Sequence, residues 1–334
     1  MTPITLAHGN GGRLMRQLIE QVFARHLYSE LAQSQCDAAP LSLPAGELML
    51  STDTFTVKPL AFPGGDIGSL AIHGTVNDLA VSGATPHALA LNVIIEEGFA
   101  LEQLERLVIS MAQAAKACGV RIVAGDTKVV ARGEGGGLYL ATTGIGCKPA
   151  GLQLGLAHIR SGDRLLISGP VGDHGAAVML AREDFGLQGE LLSDAASVLP
   201  LTQALISLPG LRFMRDPTRG GLATVAHEIA HACGLSIQLE QDRIPLRPQV
   251  ATVCEILGYD PLYLACEGRV LAVVAAEQAG QALQRWRELA QGEQAAIIGE
   301  VGTDCAPALV SLRTPLGGER ILPELEQEAL PRIC

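Results

Sequence analysis

The sequence predicts an α/β (α+β) protein of two domains. Helical and strand hydrophobic periods alternate along the whole chain. Its 334 residues correspond to about two domains at roughly 150 residues each. Pro149 and Gly151 interrupt the pattern within 148–157, after which a second set of elements begins. We expect an N-terminal domain over 1–150, a C-terminal domain over 151–312 and a flexible tail over 313–334.

Arg13 to Leu27 reads as an amphipathic helix with Leu14, Leu18, Ile19 and Val22 on one face. Leu48 to Thr52 is a short strand ending in Asp53. Gly68 to Val81 is a helix and Ala88 to Ile95 a strand. A helix over Leu101 to Ala117 leads into the strand Arg121 to Ala124 and a loop Gly125-Asp126-Thr127-Lys128, before a strand over Gly137 to Cys147. The second half opens with the strand Asp163 to Ser168, which passes through Gly169-Pro170-Val171-Gly172-Asp173-His174-Gly175 into a helix over Ala176 to Arg182. Helices follow over Ser193 to Ser207 and Gly220 to Cys233, then a strand Arg269 to Ala275, a helix Glu277 to Ala290 and a strand Ala295 to Val301. Arg313 to Cys334 holds three prolines, two adjacent glycines and no sustained period, the mark of a mobile tail.

Hydrophobic residues make up 48% and charged residues 18%, which suits a packed core and excludes disorder. A net charge of −11 without a basic stripe argues against nucleic acid, and 3% aromatics leaves little for base stacking. The least charged stretch, Leu79 to Ile95, is broken by Ser82, Gly83, Pro86 and Asn92 and does not span a membrane. The start carries no secretory pattern, and eight cysteines without a CxxC pair read as small buried hydrophobes of a cytoplasmic protein. Cys334, last in the sequence, is the exception: on a flexible peptide its thiol can go into a site, accept a group and leave.

Four aspartates stand among small and hydroxyl neighbours: Asp53 in Ser51-Thr52-Asp53-Thr54, Asp78 in Gly74-Thr75-Val76-Asn77-Asp78, Asp126 in Gly125-Asp126-Thr127-Lys128, and Asp216 in Arg215-Asp216-Pro217-Thr218-Arg219. One alone reads as a cap or turn residue. Four together favour carboxylates that hold Mg²⁺ against a polyphosphate, since an acidic protein needs divalent cations to bridge to it. The sequence holds no P-loop, no dinucleotide fingerprint and no nucleophile elbow. His8-Gly9-Asn10-Gly11-Gly12-Arg13 runs into a helix and could cradle an anion on backbone amides.

These strings, with Glu267-Gly268-Arg269 and the terminal Pro331-Arg332-Ile333-Cys334, resemble the HypE family of hydrogenase maturation factors, the carbamoyl dehydratases. That family lies within the PurM-like superfamily of aminoimidazole ribonucleotide synthetase, selenophosphate synthetase and thiamine monophosphate kinase. The aspartate loops are shared across the superfamily, whereas Pro-Arg-Ile-Cys is specific to the family. Asn10 and Cys266 depart from its usual Ser and Asn. The resemblance implies a PurM-like fold whose N-terminal sheet closes a barrel across a homodimer, with ATP in the cleft between domains. It implies ATP and Mg²⁺ held by Asp53, Asp78, Asp126 and Asp216, with Thr75, Asn77, Thr127, Gly11 and Gly12 assisting. Its chemistry would convert a thiocarboxamide on Cys334 to a thiocyanate, with Glu267 as general base and Lys128 steadying the carbamoyl group or phosphate charge. The implied partners are the carbamoyltransferase HypF, as donor, and the iron-carrying HypC–HypD scaffold, as cyanide acceptor. The rival readings are a PurM-like kinase or synthetase with an incidental Cys334, and a non-catalytic scaffold that docks partners by its tail.

Overall fold

The computed structural model describes residues 2–27, 38–182, 191–304 and 307–326. Cys36, Cys305 and Cys334 lie outside them, as does the last part of the expected tail, 327–334.

The chain opens with α1 (Arg13–Leu18), which continues through a wider π-type stretch, Ile19–Ala24, into α2 (Arg25–Leu27). β1 (Glu47–Phe55) and a small hairpin of β2 (Ala61–Phe62) and β3 (Gly65–Asp66) follow. Next come α3 (Ile67–Val81), β4 (Thr85–Glu96), α4 (Leu101–Cys118), β5 (Arg121–Val130) and β6 (Leu138–Lys148). Four of these strands make one sheet in the order β1-β6-β4-β5, antiparallel except for the parallel β4–β5 pair.

In the second half, β7 (Arg164–Ile167), α5 (Asp173–Arg182), α6 (Leu199–Leu205), β8 (Leu211–Arg215), α7 (Gly221–Cys233), β9 (Leu235–Glu240) and α8 (Pro248–Leu257) come first. They are followed by β10 (Leu271–Val274), α9 (Ala279–Arg287), β11 (Ala296–Asp304), β12 (Val310–Arg313) and β13 (Glu319–Ile321). Their sheet runs β13-β12-β9-β11-β7-β10-β8. No helix of the described residues is long and apolar enough to cross a membrane.

Helix α3 ties the halves together. Asp66 caps it by accepting from the Ser69 amide at 2.9 Å. Twelve of its fifteen residues are buried, so it is covered on every side rather than on one stripe. Its body packs with α4 and the N-terminal sheet, while Ala80 and Val81 join the core formed by α6, α9, β8 and β10, with Trp286 at its centre. A third core fills the space between α7 and the far strands.

Several expectations need correction. β1 runs on to Phe55, past Asp53, and β5 runs on to Val130, so Gly125-Asp126-Thr127-Lys128 is strand rather than loop. Pairing of Asn92 with Asp126 and Ile94 with Lys128 overrides the turn preference of Gly-Asp. The helix expected from Ser193 begins only at Leu199. The Ser193 hydroxyl takes the Ala195 amide, and the Asp194 carboxylate takes the amides of Glu267 and Gly268, so both side chains compete with helix formation. The aperiodic stretch after Arg313 turns back as β13 against β12, and Leu322 is fully buried. Strands β8 and β9 and helix α8 had no counterpart in the sequence reading.

Gly221 opens α7 with φ +61°, and a Cβ there would lie 2.5 Å from the Leu264 carbonyl oxygen and 2.6 Å from that of Leu262. Gly221→Ala is expected to cost about 2–4 kcal/mol from left-handed strain and overpacking. The midpoint of denaturant unfolding measures this, and an unchanged midpoint refutes it.

Candidate functional site

Three of the four expected aspartates converge. Asp53 comes from near the end of β1, Asp78 from the last turn of α3, and Asp216 from the residue after β8. Asp78 is misplaced for helix stability, because the C-terminal end of a helix repels anions. A local penalty of this kind marks a position kept for another purpose. Its Oδ2 accepts from the Ser51 hydroxyl at 2.6 Å, and its neighbours line a cleft of about 430 Å³ with Ser51, Lys148, Phe213, Arg215 and Asp216.

Asp216 is only 4% exposed. Burial, and then the negative charges of Asp78 and Asp53, push its carboxyl from 3.8 up to about 7. Asp53 is also raised, chiefly by burial and then by Asp78, while the amide of Thr54 and the guanidinium of Arg219 hold it down. Arg219 Nη2 lies 3.9 Å from Asp53 Oδ1.

Such a set suits a hard divalent cation: its donors are all oxygen, and its repulsion is relieved by positive charge. The three carboxylates are not gathered tightly enough to share one ion directly. Among the described residues, three His, Cys, Asp or Glu ligand atoms come within 4.8 Å of one another only at His227, His231 and Glu324. A Mg²⁺ that keeps several waters and takes one or two carboxylates fits the spacing.

Glu267 is 5% exposed, in a turn built by a buried ionic network. Asp194 accepts from the Glu267 amide at 3.1 Å and from the Gly268 amide at 3.3 Å. Arg269 Nε lies 3.3 Å from Asp194 Oδ2, and Arg269 Nη2 lies 3.5 Å from Asp173 Oδ2. Burial raises the carboxyls of both Asp173 and Asp194. Cys266 holds the same turn from its other side, its Sγ accepting the Gly172 amide at 3.1 Å, and burial pushes that thiol well above its usual range.

Asn77 docks this turn on α3. Its Nδ2 donates to the carbonyls of Glu267 at 3.1 Å and Ala196 at 3.0 Å, and its Oδ1 accepts from the Val198 amide at 2.8 Å. Thr75 is fully buried and bonds Thr142 Oγ1 at 2.5 Å. Both side chains were expected to touch ATP; the structure commits their hydrogen bonds to joining segments of the protein.

The remaining expected residues lie elsewhere. Asp53 pairs across β6 and β4 toward β5, so about 14 Å, three strand spacings, separates it from Asp126. They also face opposite ways. Asp53 Oδ2 reaches the α3 side, near Gly74, whereas Asp126 and Lys128 stand on the exposed face beside Asn92 and Ile94. Lys128 Nζ lies 3.3 Å from Asp126 Oδ2. Thr127 points inward and is buried. Within one chain, then, Lys128 and Glu267 are on opposite sides of the sheet. Gly11 and Gly12 are exposed at the start of α1, and the preceding turn packs on Val129 through Gly9. Cys334 lies outside the described residues.

The sequence matches the AIR synthase related protein N-terminal domain over 35–147 and the corresponding C-terminal domain over 160–310. The carbamoyl dehydratase HypE of Azotobacter vinelandii is 47% identical over 332 residues, covering 99% of this chain and 97% of that protein. The chain belongs to the HypE family of carbamoyl dehydratases. A crystal structure of the hydrogenase maturation protein HypE in complex with ATP superposes with a TM-score of 0.93 at 43% identity, over 99% of each chain. A HypE–HypF complex is similar with a TM-score of 0.81 at 44% identity, covering 92% of this chain and 99% of that one.

Sequence reasoning about this HypE-family chain missed Ser51, Asp194 and Arg219. Ser51 and Arg219 sat inside the motifs quoted for Asp53 and Asp216, so a hydroxyl or cation two or three residues from each aspartate was the available signal. Asp194 carried none, since its contacts are about 73 residues away in sequence.

Because Asp216 titrates near 7 when folded and near 3.9 when unfolded, the folded protein holds a proton through that window which the unfolded chain releases. Stability without metal therefore falls as pH rises from about 4 to about 7. In chelator, Asp216→Asn is expected to flatten this fall, and Mg²⁺ at pH 8 is expected to raise the melting temperature of the native protein but not of the variant. Identical melting curves for the two proteins overturn the assignment.

Proposed function

We propose that this chain dehydrates a thiocarboxamide on the sulfur of Cys334 to a thiocyanate, at the expense of ATP, and so supplies cyanide for hydrogenase maturation. The observation that carries this reading is the docking of the Glu267 turn on Asn77, the neighbour of Asp78. It ties the backbone of the buried Glu267 turn to the residue that precedes Asp78, in a chain whose relatives are named carbamoyl dehydratases.

Asp53, Asp78 and Asp216 would hold a Mg²⁺ for the ATP substrate. When bound, the ion supplies the positive charge that lets a polyphosphate approach a protein of net charge −11. Phosphoryl transfer to the carbamoyl oxygen releases ADP, gives up the first of the two N–H protons to solvent, and turns that oxygen into a leaving group on a carbon still bonded to one N–H. Glu267 takes the N–H proton as carbon–oxygen cleavage expels phosphate, leaving S–C≡N. The Asp194–Arg269 network fixes the turn, so Glu267 is held in place before the reacting group arrives. Cys334 receives its carbamoyl group from HypF, a reading supported by the relative solved as a HypE–HypF complex. The HypC–HypD scaffold is the proposed acceptor of the cyanide.

We further place a homodimer on the open face of the N-terminal sheet. Leu48 and Leu50 are 63% and 68% exposed on β1, an edge strand, and Ile94 is 41% exposed on β4. An apolar face and an open edge of this kind are covered in stable proteins. Asp126 and Lys128 stand on the same face, so the second copy, rather than the chain's own Glu267, is their nearest prospective partner.

Glu267→Gln should bind ATP, accept the carbamoyl group and stop there, leaving the tail peptide about 43 Da heavier than the free thiol for want of a general base. Intact mass after incubation with HypF, carbamoyl phosphate and ATP reads this directly. Thiocyanate formed at the native rate overturns the base assignment, and no modification of Cys334 in the native protein overturns the function. Light scattering is expected to give twice the chain mass for the native protein and the chain mass for Leu50→Lys. A native monomer at micromolar concentration removes the dimer.

A further inference from the structure

His227 and His231 stand one turn apart on the same face of α7, their rings 6.1 Å apart and 30° from parallel. Glu324, in the extended segment after β13, meets them: His231 Nε2 lies 3.1 Å from Glu324 Oε2. One ligand atom from each of the three lies within 4.8 Å of the other two. His227 is 7% exposed, and its Nε2 is 3.0 Å from the Leu322 carbonyl oxygen. A buried imidazole bonded to a backbone carbonyl has its tautomer and ring plane set, as metal-ligating histidines do. None of these residues belongs to the acidic crevice, and no part of the proposed dehydration uses them.

We propose that His227, His231 and Glu324 bind a divalent transition ion of the zinc class. Two neutral imidazoles and one carboxylate suit its borderline softness, and a tetrahedral ion would take water in the fourth position. The hard cation proposed for the crevice has little affinity for imidazole, so the two sites select different metals.

The ion would have a mechanical consequence. The segment it grips is already docked: the Leu322 amide donates to the Val310 carbonyl at 2.9 Å, and the Tyr263 hydroxyl donates to the Pro323 carbonyl at 2.5 Å. The His231–Glu324 contact is half exposed on both sides and is worth at most about 1 kcal/mol as a surface pair. Coordination replaces this weak contact and makes Glu324 a fixed anchor ten residues before Cys334. Ten residues span at most about 35 Å, so the ion would set the greatest distance of the thiol from this anchor. This consequence rests on the proposed role of Cys334; the metal site does not.

The test is calorimetric titration of the metal-stripped full chain with Zn²⁺ in a non-chelating reductant, beside His231→Ala and Glu324→Gln. Both substitutions are at exposed positions, and unchanged melting temperatures verify that the variants fold. Zinc is expected to bind the native chain at one strong site and each variant about tenfold more weakly or worse. Since the variants keep all eight cysteines, equal affinity in all three proteins overturns the proposal. Hydrogen exchange over 322–326 is expected to slow with zinc in the native chain alone. Co²⁺ in place of Zn²⁺ distinguishes the ligands: a thiolate charge-transfer band that survives in both variants overturns the assignment as well.

Discussion

A helix buried on every side must find a partner for each polar group it carries, because an unpaired buried polar group costs about 1–3 kcal/mol. Helix α3 meets this demand with groups from both halves of the chain. Ser69 returns to its cap at Asp66, Thr75 goes to Thr142, Asn77 reaches the loop at 196–198 and the Glu267 turn, and Asp78 takes the Ser51 hydroxyl. His73 has no partner for Nδ1 among the described residues, and burial drops it to about 4, so it stays neutral. Breaking the contact between the halves would strand Asn77, whose three hydrogen bonds all cross to the second half, so this one buried amide helps to specify the inter-domain geometry beside apolar packing.

The same economy explains why the acidic crevice can exist. Asp216, Asp78 and Asp53 repel one another where water is scarce, which alone would favour an open cleft. The apolar ends of α3 and the β8–β10 strands hold the cleft closed enough to keep Asp216 buried. The electrostatic strain persists because hydrophobic burial elsewhere exceeds it. A bound cation would relieve that repulsion.

The sequence made part of this legible. Asp53, Asp78 and Asp216 were identified by small and hydroxyl neighbours, and they do meet. Their backbone setting was not legible, since a Gly-Asp-Thr string reads as a loop until a parallel neighbour pairs with it, as β4 does with β5. Asp126 shares the motif chemistry of the other three but sits on the other edge and face of the sheet, a fact fixed by strand order and alternation parity, which no local string carries. Asn77 and Thr75 read as ligand contacts because amides and hydroxyls near an aspartate serve either purpose; only burial tells them apart. Residues 193–198 look helical in period, and they fail to be helical because their side chains are needed by a turn far along the chain.

The two groups expected to act on the carbamoyl moiety are held very differently. Glu267 belongs to a turn in which a buried arginine bridges two buried carboxylates, and removing one member of such a network leaves an uncompensated charge worth about 3–5 kcal/mol. Lys128 pairs with Asp126 on a surface where 69% and 56% of their side chains are exposed, a contact worth at most about 1 kcal/mol. The network therefore fixes the backbone of the turn that carries Glu267. Lys128 can abandon its partner at little cost for any anion brought to that face. Proton removal demands a base held within hydrogen-bond reach at the moment of reaction, and steadying a phosphate demands only a mobile cation nearby.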